Sequence, residues 1–220
     1  MLQSFTATLG TPVCVVVTIL CAYLLGSLSF AIIVCRLTLG QDIRNYGSGN
    51  AGLTNAYRTM GGAKTALVLL GDLGKAAAAL SIGGVLLGPG GKLLAGAFVI
   101  LGHVYPVYFG FRGGKGVLVG AITLLLFDWR IFLVAFGLFV LAVAVTRWIS
   151  LGSILGALSV PFTMHYFYHN PIYTAVISVL AAAVIYLHRS NIKRILSGTE
   201  NKFSWHSKPQ IENGKEPEDR

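Results

Sequence analysis

Residues able to do chemistry gather in three polar stretches of a mostly apolar chain. The first, "NYGSGNAGLTNAYRTMGG" (45–62), holds three asparagines, three serine or threonine hydroxyls, five glycines and Arg58, with no carboxylate. Ser48, Asn50, Thr54, Asn55 and Arg58 are hydrogen-bonding or cationic groups, the set that suits an anionic ligand. A helix cap followed by a turn would use the same serine and asparagine residues. The second stretch, "FRGGKGV" (111–117), sets Gly113, Gly114 and Gly116 around Lys115, with Arg112 beside them. Glycines let successive amides turn toward one point as an anion nest, and lysine adds a point charge for phosphate. A helix beginning near Gly116 would add the partial positive charge of its N-terminus. A flexible basic turn has the same composition, and the spacing of a Walker motif is absent.

The third stretch, "HRSNIKRILSGTENKF" (188–203), puts His188, Asn191 and Ile195 on one helical face. Histidine titrates near neutrality and can move a proton. Glu200 is the one carboxylate here, suited to bonding loop amides or a basic neighbour. Inside a long apolar run, Asp72 and Lys75 stand at i and i+3, close enough to pair and soften the cost of charge in lipid, which predicts a structural role. His103, three residues before Pro106, is expected to hydrogen-bond within the bundle.

The elements that position these stretches follow from composition. With 55% hydrophobic residues, 11% charged residues and a mean hydropathy of +0.72, the 220-residue chain reads as an all-α polytopic membrane protein. Its net charge of +9 does not form a soluble basic face with interleaved stacking aromatics, so no nucleic-acid partner is expected. Seven apolar runs are candidate spans, at 13–35, 65–88, 93–109, 116–127, 131–145, 151–168 and 172–187. Asp128, Trp129 and Arg130 mark a tight interfacial turn between the two short runs. Cys14, Cys21 and Cys35 all lie in the first run and read as small core residues; two cysteines seven residues apart on a helix are about 10.5 Å apart, beyond disulfide reach.

Basic residues then orient the bundle. With the N-terminus outside, only Lys92 and Arg130 of the 17 Lys and Arg residues fall in outer loops, Lys75 lies in a span, and the rest face the cytoplasm. Every polar, glycine-rich stretch lands on that cytoplasmic side: 44–62, 112–116, 146–153 and 188–203. They read as components of one site. Residues 204–220 are polar and Pro-bearing and read as a disordered cytoplasmic tail. Two other functional classes fit a cationic membrane face: a transporter for phosphorylated metabolites, and a purely structural membrane protein. Against the first, no convincing internal repeat is visible and the polar motifs lie at one interface, away from the bilayer midplane. The second gives no reason for polar loops so free of carboxylates.

Taken in order, "GSGNAGLTNAYR", "GHVYPVYFGFRGGKGV" and "TRWISLGSI" followed by "HRSNIKRILSGTENKF" resemble the motifs of the bacterial acyl-phosphate:glycerol-3-phosphate acyltransferases, the PlsY family, across residues 13–203. The resemblance implies a bacterial inner-membrane enzyme whose transmembrane acyltransferase domain spans 1–203. It implies transfer of an acyl chain from acyl phosphate to glycerol-3-phosphate, giving lysophosphatidate and phosphate, the first acylation of phospholipid synthesis. No cofactor or metal is called for; the partners are the two substrates, the lipid bilayer and an enzyme that produces acyl phosphate. Carried over by motif position, the catalytic set is Ser48, Arg58, Lys115, His188 and Asn191. Asn50, Thr54, Asn55, Arg112, Gly113, Gly114 and Gly116 fall to phosphate binding, and Glu200 to integrity. The chain departs from the family pattern at Ser29, Leu53 and Ala76, and at Leu118 and Val119, where alanine and threonine are usual. No histidine has an aspartate five residues later, so the His-x-x-x-x-Asp dyad of thioester-using acyltransferases is missing.

Overall fold

The computed structural model describes residues 10–204 and 209–211, and all regular structure there is helical. Contacts divide the chain into two compact units, Met1–Thr123 with His206–Arg220, and Leu124–Trp205.

In the first unit, α1 (Thr11–Gly26) and α2 (Phe30–Leu39) form one apolar stretch broken at residues 27–29. Ser29 is extended there and starts α2, with its carbonyl accepting from Ile32 and Ile33. The break frees the Leu28 carbonyl, which accepts a hydrogen bond from Lys75 Nζ at 2.7 Å. After α2 comes α3 (Leu53–Met60), the helix of the first polar motif, and then α4 (Gly62–Val104). Gly88, with φ +66, reverses α4 before Pro89. In a straight helix Gly83 and Gly91 would lie about 12 Å apart. Here a Cβ on Gly91 would collide with the Gly83 carbonyl, so the two arms fold back on each other as a hairpin. Gly26 packs against the Val99 backbone and Gly102 against the Tyr23 carbonyl. Small residues at these points let α1 approach the second arm closely.

A core of Ile32, Val34, Cys35, Ile43, Ala51, Ala56, Met60 and Val68 seats α3 and the loop before it on α2 and the first arm of α4. Ile211, 2% exposed, belongs to the same core. That burial departs from the disordered tail expected over 204–220: one apolar side chain in a polar segment is enough to dock residues 209–211, since burying an isoleucine stabilises by about 1.5–3 kcal/mol. Residues 205–208 and 212–220 of that expectation lie outside the described residues.

α5 (Val117–Phe127) is followed in the second unit by α6 (Trp129–Thr146), α7 (Ile149–Tyr168), α8 (Pro171–Leu187) and α9 (Arg189–Leu196). α6, α7 and α8 pack in sequence, each on the next. The interfacial turn read from Asp128–Arg130 is a helix cap: Asp128 accepts from the Arg130 amide at 2.9 Å and pairs with its guanidinium at 2.7 Å.

All seven apolar runs are helical. Among the described residues three stretches pass as spans by length and apolarity, Thr11–Leu39, Gly62–Phe109 and Trp129–Thr146, with a fourth if the pair Pro171–Leu187 and Arg189–Leu196, bent by 54°, counts as one. The number falls short of seven partly because α4 carries two of the runs in one hairpin. In addition α5, with 11 residues, is only about 16 Å long.

Candidate functional site

In the first unit the two glycine-rich motifs meet through Arg44. Its Nη1 donates to the Phe109 carbonyl at 2.7 Å and to the Arg112 carbonyl at 3.1 Å, tying the first loop to the second. Its Nε and Nη2 hold Asp42 at 3.0 and 2.8 Å, and Arg36 adds a third guanidinium contact at 2.7 Å. Those bonds from Arg44, aided by Arg36, hold the Asp42 carboxyl well below the usual carboxylate range. Asp42 is thus neutralised in place, and the face around it stays cationic. A cavity of about 450 Å³ opens here, lined by Arg44, Asn45, Gly49, Phe109 and Arg112 as well as Asp42.

α3 sorts its residues by helical period. Asn55, Ala56, Thr59 and Met60 point into the core, while Thr54 and Arg58, four apart, lie on the partly exposed side. Asn55 is 2% exposed, and its side chain serves the loop itself: Oδ1 accepts from the Ser48 amide at 2.9 Å, and Nδ2 donates to the Tyr46 carbonyl at 3.1 Å. Gly47, at φ +59, has no room for a Cβ beside Asn55 Oδ1. Ser48 is left in the exposed part of the loop, and Asn50 is half-buried.

The second motif is held from behind. Amides of Gly113 and Gly114 donate to the Val104 and His103 carbonyls, both at 3.1 Å, so these two N–H groups fasten the loop to the end of α4. A Cβ on Gly114 would meet the His103 ring and come within 2.9 Å of the Ala51 carbonyl, which brings the first motif, the second motif and His103 together at one residue. Gly116, at φ +78, turns the chain into α5, which begins at Val117 as the helix expected near Gly116; Lys115 therefore stands just before a helix N-terminus, half-buried. Val119, one of the departures, is fully buried as a core residue.

Deeper in the same unit, Asp72 and Lys75 pair at 2.7 Å with side chains 2% and 1% exposed. Lys75 Nζ also lies 3.0 Å from His103 Nδ1. A lysine ammonium only donates, so His103 Nδ1 accepts and its proton sits on Nε2. The pair is not at the loop surface; His103, whose carbonyl accepts from the Gly114 amide, stands between it and the loop.

In the second unit Glu200 is the hub. Its Oε1 accepts from Ser150 Oγ at 2.6 Å and from Asn191 Nδ2 at 2.7 Å, and its Oε2 pairs with Arg194 Nε at 2.7 Å. A further backbone bond, Phe203 N to the Arg147 carbonyl at 2.8 Å, closes the segment onto the start of α7. His188, 3% exposed, donates from Nδ1 to the Val184 carbonyl at 2.8 Å. A carbonyl accepts only, so Nε2 is the basic nitrogen of the neutral ring. Sequence reading did not single out Ser150 or Arg44; their signal was a hydroxyl inside "TRWISLGSI" and an arginine two residues from Asp42.

Burial alone would raise the Glu200 pKa, but the bonds from Ser150, Asn191 and Arg194 outweigh it and lower the value. Because the folded pKa lies below the ordinary value of 4.5, the stabilisation is complete above that pH and is lost as pH falls through the folded value. Glu200→Ala is expected to destabilise the protein by about 1–3 kcal/mol at pH 7 and to flatten its stability loss on acidification. Thermal denaturation in detergent from about pH 6 down to about pH 2, which spans the ordinary and the lowered value, checks this; a mutant that melts in parallel with wild type across that range would contradict it.

Residues 16–198 match the family model described as Glycerol-3-phosphate acyltransferase. The chain is 40% identical over 191 residues to the Glycerol-3-phosphate acyltransferase of Geobacillus kaustophilus (strain HTA426), covering 86% of this chain and 96% of that one. It is 39% identical over 188 residues to the protein of that name from Bacillus subtilis (strain 168), covering 85% of this chain and 96% of the relative. Among solved structures it is similar to PlsY (YgiH), an integral membrane glycerol 3-phosphate acyltransferase, in its glycerol 3-phosphate form, with TM-score 0.80, 33% identity and coverage of 86% and 96%. The lysophosphatidic acid form of PlsY matches with TM-score 0.78, 30% identity and coverage of 87% and 96%.

Proposed function

The chain belongs to the glycerol-3-phosphate acyltransferase family, and from that premise we propose that it transfers an acyl chain from acyl phosphate to glycerol-3-phosphate, giving lysophosphatidate and phosphate. The observation that carries the reading is the Arg44 bridge, which joins two glycine-rich cationic loops while Asp42, the carboxylate among them, is neutralised by two arginines. Two phosphates must come together there without mutual repulsion, and that requires fixed cations with acids kept away.

Arg58 and Lys115 neutralise substrate phosphates, with Ser48, Asn50, Thr54, Arg112 and Gly116 completing the anion contacts. Gly113 and Gly114 contribute close backbone approach, their amides being already bonded; Asn55 contributes by shaping the Ser48 loop. The donor is an activated anhydride, so no acyl-enzyme is needed. The glycerol hydroxyl oxygen attacks the acyl carbonyl, a carbon–oxygen bond forms, and the bond from that carbon to the phosphate-bearing oxygen breaks. Either His188 Nε2 or the departing phosphate takes the hydroxyl proton, with Asn191 held in place by Glu200. The enzyme sits in the bacterial inner membrane with seven spans, N-terminus outside, C-terminus and active site in the cytoplasm, supplied by an enzyme that makes acyl phosphate.

Donor choice and sidedness are tested together in sealed inside-out vesicles given labelled glycerol-3-phosphate with acyl phosphate or with acyl-CoA of matched chain. Lysophosphatidate is expected from acyl phosphate without breaking the vesicles, and at least about a hundredfold more slowly from acyl-CoA, which presents no phosphate at the reacting carbonyl for the Lys115 loop to grip. Comparable rates from both donors would sink the donor assignment, and label accumulating in the lumen unchanged would favour the transporter.

A further inference from the structure

The last turn of a helix leaves its final carbonyls without intrahelical partners. In α3 the Tyr57 carbonyl is taken by the Gly61 amide at 3.1 Å. The next two, Arg58 and Thr59, accept from a distant part of the chain: the Gln210 amide at 3.3 Å and the Ile211 amide at 3.1 Å. Ile211 is buried in the core that holds Ile43, Ala56 and Met60, and so anchors the segment beside the helix it caps. The neighbours of this segment fit closely as well. A Cβ on Gly61, at φ +80, would lie 3.0 Å from Pro209 Cγ, and one on Gly47 would lie 3.4 Å from Gln210 Oε1. Residues 209–211 therefore touch both ends of the first motif. They also lie beyond residue 198, where the match to the family model ends.

We propose that Gln210 and Ile211 are positioning residues for the acyltransfer: the segment 209–211 caps α3 and fixes the turn that carries Arg58 relative to the Ser48 loop. The inference rests on the reading of Arg58 as a phosphate-binding cation. Arg58 sits in the last turn of an eight-residue helix, where fraying shifts a side chain first. A displacement of about 1 Å can cost up to about a hundredfold in an oriented site. The cap acts on geometry alone, because neither Gln210 nor Ile211 supplies charge.

The test compares the full chain with a chain ending at Ser204 and with full-length Ile211→Asp, Ile211→Val and Arg58→Ala, all purified in detergent. Truncation and Ile211→Asp are expected to raise KM for glycerol-3-phosphate or acyl phosphate about tenfold per folded molecule, with Ile211→Val close to wild type. Amide hydrogen exchange at Gln210 and Ile211 is expected to be slow in the full chain and fast in Ile211→Asp. Unchanged KM in both disrupted proteins, or a loss of kcat that only tracks the unfolded fraction, would show a structural tail and overturn the positioning role. Exchange in the full chain as fast as in a free peptide overturns the docking itself. Wild-type kinetics in Arg58→Ala would instead remove the reading of Arg58 on which the inference rests, a result separable from the exchange data.

Discussion

Lys115→Ala and Arg58→Ala are each expected to lose about ten- to a hundredfold in turnover or substrate affinity while remaining folded. A hydrogen bond to a charged group contributes about 1.5–3 kcal/mol, and each 1.4 kcal/mol is about tenfold in rate. The two cations are placed for this by different devices. Lys115 stands between the Gly113–Gly114 segment, whose amides are fastened to the end of α4, and the start of α5 at Val117. Arg58 rides on the partly exposed side of α3, four residues from Thr54, while Asn55, Ala56 and Thr59 hold the other side in the core. Truncating either long side chain leaves those anchors in place, so the fold should survive. Steady-state kinetics with both substrates, alongside melting curves in the same detergent, check the point. A folded mutant with wild-type kinetics would remove that cation from the site.

What could be read from the residues divides along the range of the interactions. All seven helical runs were legible, because an apolar stretch in lipid must satisfy its own backbone hydrogen bonds and helix is the local way to do it. The gap between the second and third runs, 65–88 and 93–109, was legible too, and the structure turns the chain there at Gly88, where a glycine adopts positive φ. The Asp72 and Lys75 pair followed from i, i+3 spacing. Contacts between distant segments were not legible. Glu200 was expected to find a basic neighbour and does, in Arg194, but Ser150 is fifty residues away and no periodicity joins them. At the break at residues 27–29 a lysine reaches back from α4 to the Leu28 carbonyl, a contact no local pattern shows, and the first run alone reads as one continuous helix. Asn55 carries the signature of an anion ligand and of a turn-former equally, and in the structure its bonds run to its own loop. Ile211 is a single apolar residue among polar ones, and the carbonyl its amide bonds, that of Thr59, is more than 150 positions earlier.

The largest stability effect is expected at the buried charges. Lys75→Ala should destabilise the protein by about 3–5 kcal/mol, because it leaves the buried Asp72 carboxylate without its cation. It also strips the Leu28 carbonyl of its donor at the break between α1 and α2, and His103 Nδ1 of its neighbour. The pair itself need not be a strong net stabiliser, since taking two charges out of water offsets much of their attraction. A double replacement, Asp72→Leu with Lys75→Met, is therefore expected to be considerably more stable than Lys75→Ala, and a double-mutant cycle on melting temperature should show strong coupling. Activity should not follow stability in these two proteins. His103 accepts the Gly114 amide through its carbonyl and presents its ring to the space a Gly114 side chain would need, so the Lys75 contact also sets the ring against which the second motif rests. Restoring stability by the double replacement without restoring that contact should leave KM for the phosphate substrates raised. Additive destabilisation in the cycle would mean that the two charges do not act as a pair, and normal KM in the double mutant would disconnect the buried cluster from the Lys115 loop.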